Sequence, residues 1–365
     1  MKTIDKFIDN YIKNYHSYKE SWNYEDGCVL KGAWDLYKAT GNEKFKLFVL
    51  NYLDEFISED GNIKGYKPYN HHLDDINSGK ILFDVLELTN EEKYRKAIES
   101  IFNQIKMQPR TNEGNFWHKD IYPYQVWLDG LYMVMPFYVK YIKDFGNIDE
   151  VNDILNQFLN VRRRMWNEEK RLYYHGYDES KKEAWADKKT GVSPNFWGRA
   201  EGWFVMALVD VLEEMGEDMA DAKKVLGDIF KEAIEGLLRY QDKNSGMWYQ
   251  VLDKGNEKGN YLETSATLMI SYSILKGVRL HILPLLGYKE FGIRAFDGTV
   301  ERYLVEDGGI LRLAGICGVA GLGNNPYRDG SYDYYISEKV VYNDPKGVGA
   351  LMMAYSEVLK SNNIY

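Results

Sequence analysis

Two aspartates stand in contexts where a carboxyl group could do chemistry. Asp129 opens a very apolar segment, and aromatic or basic residues precede it within a dozen positions: Trp117, His118, Lys119, Tyr122, Tyr124 and Trp127. A carboxyl group between aromatic faces is partly desolvated, and desolvation favours the protonated form near neutrality. This context makes Asp129 a candidate general acid.

Asp74 and its neighbour Asp75 form the second context, directly before the apolar segment that begins at Lys80. For both contexts, helix capping is the alternative, because an aspartate before a helix accepts hydrogen bonds from its first turn and stabilises it by about 1 kcal/mol. A cap does not need aromatic neighbours, so the neighbours favour a catalytic role for Asp129 over a capping one.

A third cluster joins the segment 173–178, which contains a histidine, to a tryptophan-rich segment that follows it. Arg199 lies two residues after Trp197 and four before Trp203, so a helix there would place a guanidinium group beside flat stacking surfaces. Such a group can grip a carboxylate through two parallel hydrogen bonds. The alternative is an arginine paired with Glu201 or another acid at a rim.

Other catalytic chemistries lack their motifs. None of the six histidines has a metal-binding H-x-x-x-H spacing, and adjacent side chains such as His71-His72 rarely converge on one ion. The glycine-rich run 315–323 lacks the Lys-Ser/Thr of a phosphate loop, and no G-x-S-x-G elbow occurs. We therefore expect no metal and no cofactor, which leaves the carboxylates.

The composition limits the class of substrate. With 45% hydrophobic and 28% charged residues in 365, the chain is globular, and its net charge of −9 argues against a nucleic-acid partner. The 30 tyrosines and 9 tryptophans suit sugar rings, whose C–H faces stack on aromatic rings while their hydroxyls need polar partners. For most of these residues, filling a helical core is the plainer interpretation.

The N-terminus carries acids where a signal peptide needs an apolar run, and no stretch of about 18 apolar residues could span a membrane. Cys28 and Cys317 are too few for a disulfide framework and are typical of buried thiols in a reducing compartment. We expect a cytoplasmic protein without membrane partners, either a monomer or a weak homo-oligomer.

Helical periodicity dominates the chain. It predicts helices over 29–40, 80–88, 91–106, 130–145, 151–166, 202–215, 222–241, 264–276 and 347–359, and short extended pieces near 171–174, 247–251 and 309–311. Long loops rich in Gly, Asn, Asp and Tyr cover 61–77, 114–124 and 315–335. Loops of this length in a compact domain are usually functional.

A weak repeat organises these helices. The segment Leu36–Phe45 is echoed by Leu86–Tyr94, with Asn42 and Asn90 as expected helix N-caps, and looser echoes follow at spacings of about 50 to 70 residues. About six helical hairpins would close into an all-α toroid, an (α/α)6 barrel with long loops and short β pieces at the cleft end. An open solenoid is the alternative, but the apolar last helix favours closure. Without a linker, we expect one catalytic domain over residues 1–365.

Three segments carry a resemblance to a known family. The chain contains Glu113-Gly-Asn-Phe-Trp-His-Lys119, Tyr122-Pro-Tyr-Gln-Val-Trp-Leu-Asp-Gly-Leu-Tyr-Met133 and Ser193-Pro-Asn-Phe-Trp-Gly-Arg-Ala-Glu-Gly-Trp203. With the shorter segments 253–255 and 333–337, they resemble the unsaturated rhamnogalacturonyl hydrolases of glycoside hydrolase family 105, which are close to the unsaturated glucuronyl hydrolases of family 88. The resemblance runs from about Trp22 to the C-terminal helix.

The resemblance implies an (α/α)6 barrel and a metal-free hydration of the 4,5-unsaturated uronic acid that polysaccharide lyases leave at chain ends. Asp129 matches the general acid/base, and Asp74 matches a second acid that positions water and sugar. Asp75, the next residue, is the alternative for the role given to Asp74. Other positions match residues that line the uronate pocket: Tyr24, His118, Lys119, Trp127, His175, Trp197, Arg199 and, more loosely, Trp203. The loop 315–335 departs most from the family pattern.

These observations favour a hydrolase that removes unsaturated galacturonate from small acidic oligosaccharides derived from rhamnogalacturonan in pectin. An unsaturated glucuronyl hydrolase acting on other lyase products is the first alternative. A sugar epimerase on the same barrel would need paired histidines, which are not evident near the motifs. A non-catalytic sugar-binding protein is a third possibility, although the set of acids and bases argues against it.

Overall fold

A computed structural model describes residues 2–361, and helices make up most of it. In chain order the α-helices are α1 Lys2–Lys13, α2 Tyr24–Thr40, α3 Glu43–Phe56, α4 Lys80–Thr89, α5 Glu92–Met107, α6 Leu128–Asp144, α7 Val151–Met165, α8 Gly198–Glu214, α9 Ala220–Leu238, α10 Thr264–Arg279, α11 Leu285–Tyr303, α12 Tyr332–Ser337 and α13 Pro345–Ser361. A 3-10 helix at Leu73–Gly79 leads directly into α4.

Six of these helices form an inner ring, in the order α2, α4, α6, α8, α10 and α13. The ring closes because α13 packs against both α10 and α2, and Tyr355 of α13 hydrogen-bonds Asp5 of α1 at 3.0 Å. The helices α1, α3, α5, α7, α9 and α11 lie outside, each following an inner helix or, for α1, covering the closing one. The protein is therefore an (α/α)6 barrel, and the open solenoid is excluded.

Burial explains why the two rings differ in sequence. An inner helix has neighbours on every side, so almost every residue of α8 from Gly198 to Leu212 is buried. An outer helix buries one stripe only. The outer helices α1, α3 and α11 were not predicted from the sequence, although α1 carries a clear apolar stripe of Ile4, Phe7 and Ile8.

Four small antiparallel pairs decorate the barrel. They join β1 Gln125–Trp127 to β4 Gly176–Asp178, β2 Trp166–Asn167 to β3 Leu172–Tyr173, β5 Leu304–Asp307 to β6 Ile310–Leu313, and β7 Ile316–Cys317 to β8 Val340–Val341. The extended pieces expected near 171–174 and 309–311 are thus confirmed. The segment 247–251 forms no paired strand, only single bridges at Tyr249 and Val251.

The two asparagines of the repeat have different roles. Asn42 is the N-cap of α3, where its side chain accepts a hydrogen bond from the Lys44 amide. Asn90 instead ends α4 in the left-handed conformation, with φ of 54°, so its predicted role as an N-cap is wrong. Asparagine suits both positions because its short side chain caps a helix start and also tolerates the left-handed region.

All six inner helices run in the same direction. Their first residues lie at the end of the barrel that carries Asp129, and charged residues from each helix line one small cavity towards the opposite end. Both free cysteines, Cys28 and Cys317, are buried as expected. In the predicted domain 1–365, Met1 and residues 362–365 lie outside the described part of the chain. Within residues 2–361, no helix combines the length and the apolar character needed to cross a membrane.

Candidate active site

Asp129 is the second residue of α6, at the mouth of the barrel. Trp127 occupies the N-cap position and makes no side-chain cap bond, so Asp129 is not the cap of this helix. The β1–β4 pair sets the chain in register here, with Trp127 opposite Gly176, and the Leu128 amide donates to the His175 carbonyl at 3.1 Å. Residues distant in sequence are thereby fixed beside the carboxyl group.

His175 is the side chain nearest to this carboxyl group. Its Nε2 lies 3.3 Å from Asp129 Oδ2, and His175 is the sole ion-pairing partner of Asp129 within residues 2–361. The aspartate side chain is 14% exposed, although Oδ2 itself is buried and has no aligned hydrogen bond. Asp129 is therefore a largely buried acid that touches an imidazole and carries no lysine or arginine clamp.

Aromatic rings form the wall around this pair. Trp127 meets His175 edge to face with ring centroids 5.3 Å apart, and Trp197 lies 4.8 Å from the same imidazole. On its other side, Trp127 stacks on His118 at 4.5 Å and on Tyr122 at 4.7 Å. These rings are themselves buried and enclose the His175–Asp129 pair, and aromatic faces close to an acid are the kind of surroundings that suit a sugar ring.

Asp74 has the opposite surroundings. Lys119 Nζ lies 2.7 Å from its Oδ2, and His118 Nε2 lies 3.6 Å from its Oδ1. Burial by itself would raise the pKa of Asp74, but Lys119 and the neighbouring histidines hold it below its ordinary value. Asp74 is therefore an ionised, positioned carboxylate and a poor proton donor.

Asp75 behaves differently from Asp74. Burial, with the adjacent Asp74 charge, raises the pKa of Asp75 to about 7. Its side chain is a quarter exposed, and its Oδ1 lies 3.6 Å from His72 Nδ1. Of the two neighbours, Asp74 is the one held against His118 and Lys119, which supports the assignment made from the sequence.

His118 connects the two acids. Burial lowers the pKa of His118 to about 3, so this histidine is neutral at physiological pH. Its ring packs against Gly130, where an added Cβ would stand only 3.1 Å from Nδ1. A glycine directly after Asp129 is therefore required for His118 to approach α6 this closely.

Arg199 is the second residue of α8, and it is fully buried. It donates to the Cys317 carbonyl at 2.5 Å and lies over the Trp197 ring at 4.8 Å. Glu201 lies elsewhere and accepts a hydrogen bond from the Tyr173 amide, so the alternative of an Arg199–Glu201 pair at a rim is wrong. Arg199 fastens the loop 315–335 to the inner ring; its contact with a substrate carboxylate stays a prediction.

The remaining predicted residues divide into two groups. Tyr24, the first residue of α2, lies close enough to Asp74 and Arg199 for both to act on its pKa, which burial raises far above its ordinary value. Trp203 lies deeper, buried in the core and stacked on Tyr132 at 4.8 Å. Its role in the pocket stays a prediction, because its described contacts are packing contacts.

Most of the predicted site forms one chain of contacts. It runs from Arg199 through Trp197, His175, Trp127 and His118 to Asp74 and Lys119, with Asp129 held at His175.

Sequence reasoning missed one neighbour, Tyr335, whose hydroxyl lies 2.7 Å from His175 Nδ1. It belongs to a segment, 333–337, that the resemblance had marked without giving any residue a role.

The arrangement of possible metal ligands can be stated for residues 2–361. There, no group of three or more His, Cys, Asp or Glu side chains is placed to hold a metal ion. His71 is close in sequence to Asp74 and Asp75, but its Nδ1 lies 3.0 Å from Asp120 Oδ2.

Comparison with known proteins identifies the family. The profile of Glycosyl Hydrolase Family 88 matches residues 2–362. The solved structure of a family 105 glycoside hydrolase from C. acetobutylicum is 44% identical in sequence, the match covers 99% of both chains, and the TM-score is 0.93.

Curated relatives agree with this match. Protein Atu3128 of Agrobacterium fabrum is 41% identical over 233 residues, which is 62% of this chain and 98% of that protein. The unsaturated rhamnogalacturonyl hydrolase YesR of Bacillus subtilis is 24% identical over 317 residues, 85% of this chain and 84% of that protein. This (α/α)6 barrel therefore belongs to the glycoside hydrolases of family 88 and the related family 105.

Proposed function

We propose that the protein removes 4,5-unsaturated galacturonic acid from the non-reducing end of oligosaccharides that a lyase has cut from rhamnogalacturonan. One observation carries the proposal: Asp129 is a largely buried acid at the start of α6 whose ion-pair partner among the described residues is His175, an imidazole that itself packs against Trp127 and Trp197. The name of the Bacillus subtilis relative supports this substrate class.

The reaction is a hydration of a vinyl ether. Asp129 gives its proton to C4 of the C4=C5 double bond, and the ring oxygen stabilises the positive charge that develops at C5. The resulting carboxylate takes a proton from water as the water oxygen bonds to C5. The hemiketal then opens, C5 becomes a ketone, and the bond to the next sugar is lost from C1.

The sequence of proton transfers explains why one acid is enough. Asp129 is regenerated at the end, whereas an ordinary glycosidase uses two carboxyl groups at the anomeric carbon. Asp74, kept ionised by Lys119, would orient the water and the ring hydroxyls without giving up a proton. The two acids have the separate environments that separate roles require.

The uronate carboxylate needs positive potential in a protein whose net charge is −9. Arg199 is a permanent cation at the start of α8, and the N-termini of the other inner helices point their amides at the same cleft. Trp127 and Trp197 supply the stacking faces. These groups together would hold the ring with C4 facing Asp129.

The test follows the conjugated double bond in the ultraviolet. Purified enzyme is incubated with unsaturated disaccharides made by pectin, heparin, chondroitin and ulvan lyases, and the absorbance of each is recorded over several hours. We expect the rhamnogalacturonan product to lose its absorbance fastest, together with release of a reducing sugar. Persistent absorbance in all four would contradict the hydration, and a faster loss with another lyase product would replace the proposed aglycone.

A further inference from the structure

Tyr335 is buried next to His175, the neighbour of Asp129, and has no role in the proposed hydration. It lies in the short helix α12 and has no exposed surface. Its backbone carbonyl accepts a hydrogen bond from Gln250 at 3.1 Å, and its ring stacks on Trp197. Gln250 is in turn fixed by the Trp197 indole at 3.1 Å. The phenol is therefore held in one place before any substrate arrives.

The hydroxyl of Tyr335 lies 2.7 Å from His175 Nδ1, and His175 Nε2 lies 3.3 Å from Asp129 Oδ2. Burial keeps the pKa of the phenol well above its ordinary value of 10, so it remains an O–H group at any working pH. A neutral imidazole has one N–H and one lone pair. If the Tyr335 hydroxyl donates to Nδ1, the imidazole proton is on Nε2 and faces Asp129; if it accepts from Nδ1–H, the lone pair of Nε2 faces Asp129.

We propose that Tyr335 is a positioning residue: its hydroxyl donates to His175 Nδ1, which places the imidazole proton on Nε2, facing Asp129 Oδ2. This inference depends on the proposed function, because it assigns the proton of the general acid to one oxygen. Oδ2 accepts from Nε2–H, and Oδ1 carries the proton that goes to the substrate.

The argument for this tautomer comes from the buried oxygen. Asp129 Oδ2 is buried with no aligned donor, and a buried acceptor left unpaired costs about 1–3 kcal/mol. The opposite tautomer would set the lone pair of Nε2 against Oδ2 and draw the proton there, away from the sugar. Hydrogen bonds of this kind are often poorly aligned without substrate and tighten when it binds.

Other titratable groups also face Asp129 and enter any pH dependence. His118 packs beside it from the loop before β1 and is neutral, since burial lowers the pKa of His118 to about 3. Behind His118 lie Asp74 and Lys119, which neutralise each other. Tyr335 approaches from α12. Since the Tyr335 hydroxyl meets His175 Nδ1, we expect its removal to act on Asp129 through the tautomer of His175.

The experiment compares wild type with Tyr335→Phe, using Tyr355→Phe as the matched control. The Tyr355 hydroxyl also makes one hydrogen bond, but to Asp5 on the outer ring. We expect kcat of Tyr335→Phe to fall about 10- to 100-fold with KM nearly constant. The basic limb of its pH profile should move to higher pH, because the Asp129 carboxylate has lost a donor. Tyr355→Phe should keep the wild-type profile.

The decisive readout is the imidazole itself. In protein labelled with 15N-histidine, the His175 signals are assigned by their loss in His175→Asn. We expect the Nε2–H tautomer in wild type and its loss in Tyr335→Phe. An Nδ1–H tautomer in wild type overturns the inference, even if the variant fails to fold, and so does an unchanged pH profile.

The two proposals fail separately in this design. If wild type consumes none of the unsaturated substrates, the proposed function is wrong, while the tautomer measurement still stands. If wild type is active and Tyr335→Phe matches it in kcat, pH profile and tautomer, only the role of Tyr335 is wrong.

Discussion

The two ends of the barrel differ in how many of their buried carboxyl groups are paired with a cation. At the end where the inner helices finish, each buried acid touches a cation: Asp84 contacts Lys38 and Lys140, Asp210 contacts Lys276, and Glu357 contacts Arg279 and Lys360. At the end where the helices begin, Asp74 is paired with Lys119, but among the described residues Asp129 has only His175 and Asp75 only His72 within ion-pair distance, and burial lowers the pKa of His72 to about 4 and leaves it neutral.

The pKa directions show the result of this difference. Burial would raise the pKa of Asp210 and Glu357, yet Lys276 and Arg279 hold both below their ordinary values. At the cleft, burial raises the pKa of Asp75 to about 7. Cations near helix C-termini are also favoured by the helix dipoles. Asp210 and Glu357 are thus ionised and paired at one end, whereas Asp75 at the other end can exchange a proton near neutral pH.

At the end of the barrel where the inner helices finish, one buried titratable group has no ion-pair partner within residues 2–361. Lys80 Nζ is buried without a hydrogen-bond partner and lies 3.2 Å from the centroid of the Tyr132 ring, and burial lowers the pKa of this lysine well below its ordinary value. The cavity beside it has a volume of about 120 Å³. This is room for a few waters and far too little for a sugar, which agrees with a structural role for this end.

The largest effect is expected from Asp129→Asn. Losing the only group that both gives and takes the proton should reduce kcat by about 1,000-fold or more, with an unchanged circular dichroism spectrum. Asp144→Asn, at the other end of the same helix, serves as the control and should keep full activity. Comparable activity in the two variants would remove Asp129 from the mechanism.

The next largest effect is on stability. Lys276→Met takes away the cation that lies 2.7 Å from Asp210, and breaking a buried pair costs about 3–5 kcal/mol. We expect a lower free energy of unfolding in urea, with kcat of the folded enzyme unchanged. Lys143→Met, which breaks the exposed pair with Glu214, should cost less than about 1 kcal/mol. A large loss of kcat in Lys276→Met would contradict a purely structural role for the charged residues at this end of the barrel.

Lys119→Met tests whether catalysis needs Asp74 to be held ionised by its ion pair with Lys119. Asp74 would lose its main cation, and we expect kcat/KM to fall about 10- to 100-fold. Lys119 now helps to keep the Asp74 pKa low, so in the variant that pKa rises and activity is lost at a higher pH on acidification. Lys44→Met, which breaks a surface pair with Asp9, is the control. An unshifted acidic limb would mean that Asp74 need not be ionised.

The smallest effect is expected from Asp75→Asn, and it depends on pH. A carboxyl group whose pKa is about 7 in the folded protein and about 4 unfolded destabilises the fold progressively as pH rises between these values. The full shift corresponds to about 4 kcal/mol. With a quarter of the side chain exposed, we expect the variant to gain only roughly 1–2 kcal/mol at pH 8.

At pH 4, the stability of Asp75→Asn, measured by thermal unfolding, should come within about 0.5 kcal/mol of wild type, because the wild-type carboxyl group is then protonated in the folded state and about half protonated in the unfolded state. An equal gain at both pH values would show that the substitution acts through packing and not through the charge.

Periodicity and motif spacing predicted the inner helices to within a few residues, since each is apolar along most of its length. They did less well for the outer helices, of which α1, α3 and α11 were not predicted, whereas α5, α7 and α9 were. They also misjudged Asn90, because the same side chain suits a helix start and a helix end. The resemblance of three segments identified the family correctly. The catalytic role of Asp129, inferred from its aromatic neighbours and from the resemblance, stays a prediction.

The sequence by itself determined the (α/α)6 class and the residue types available at its mouth, since both follow from local patterns of apolar, aromatic and acidic residues. Only the tertiary structure decided which acid is pinned by Lys119, where Arg199 is fastened, and that Tyr335 meets His175. The last contact joins residues 160 positions apart, and such a distance is set by how the ring of helices closes. Side-chain charge states depend on those long-range neighbours, and therefore no local pattern contains them.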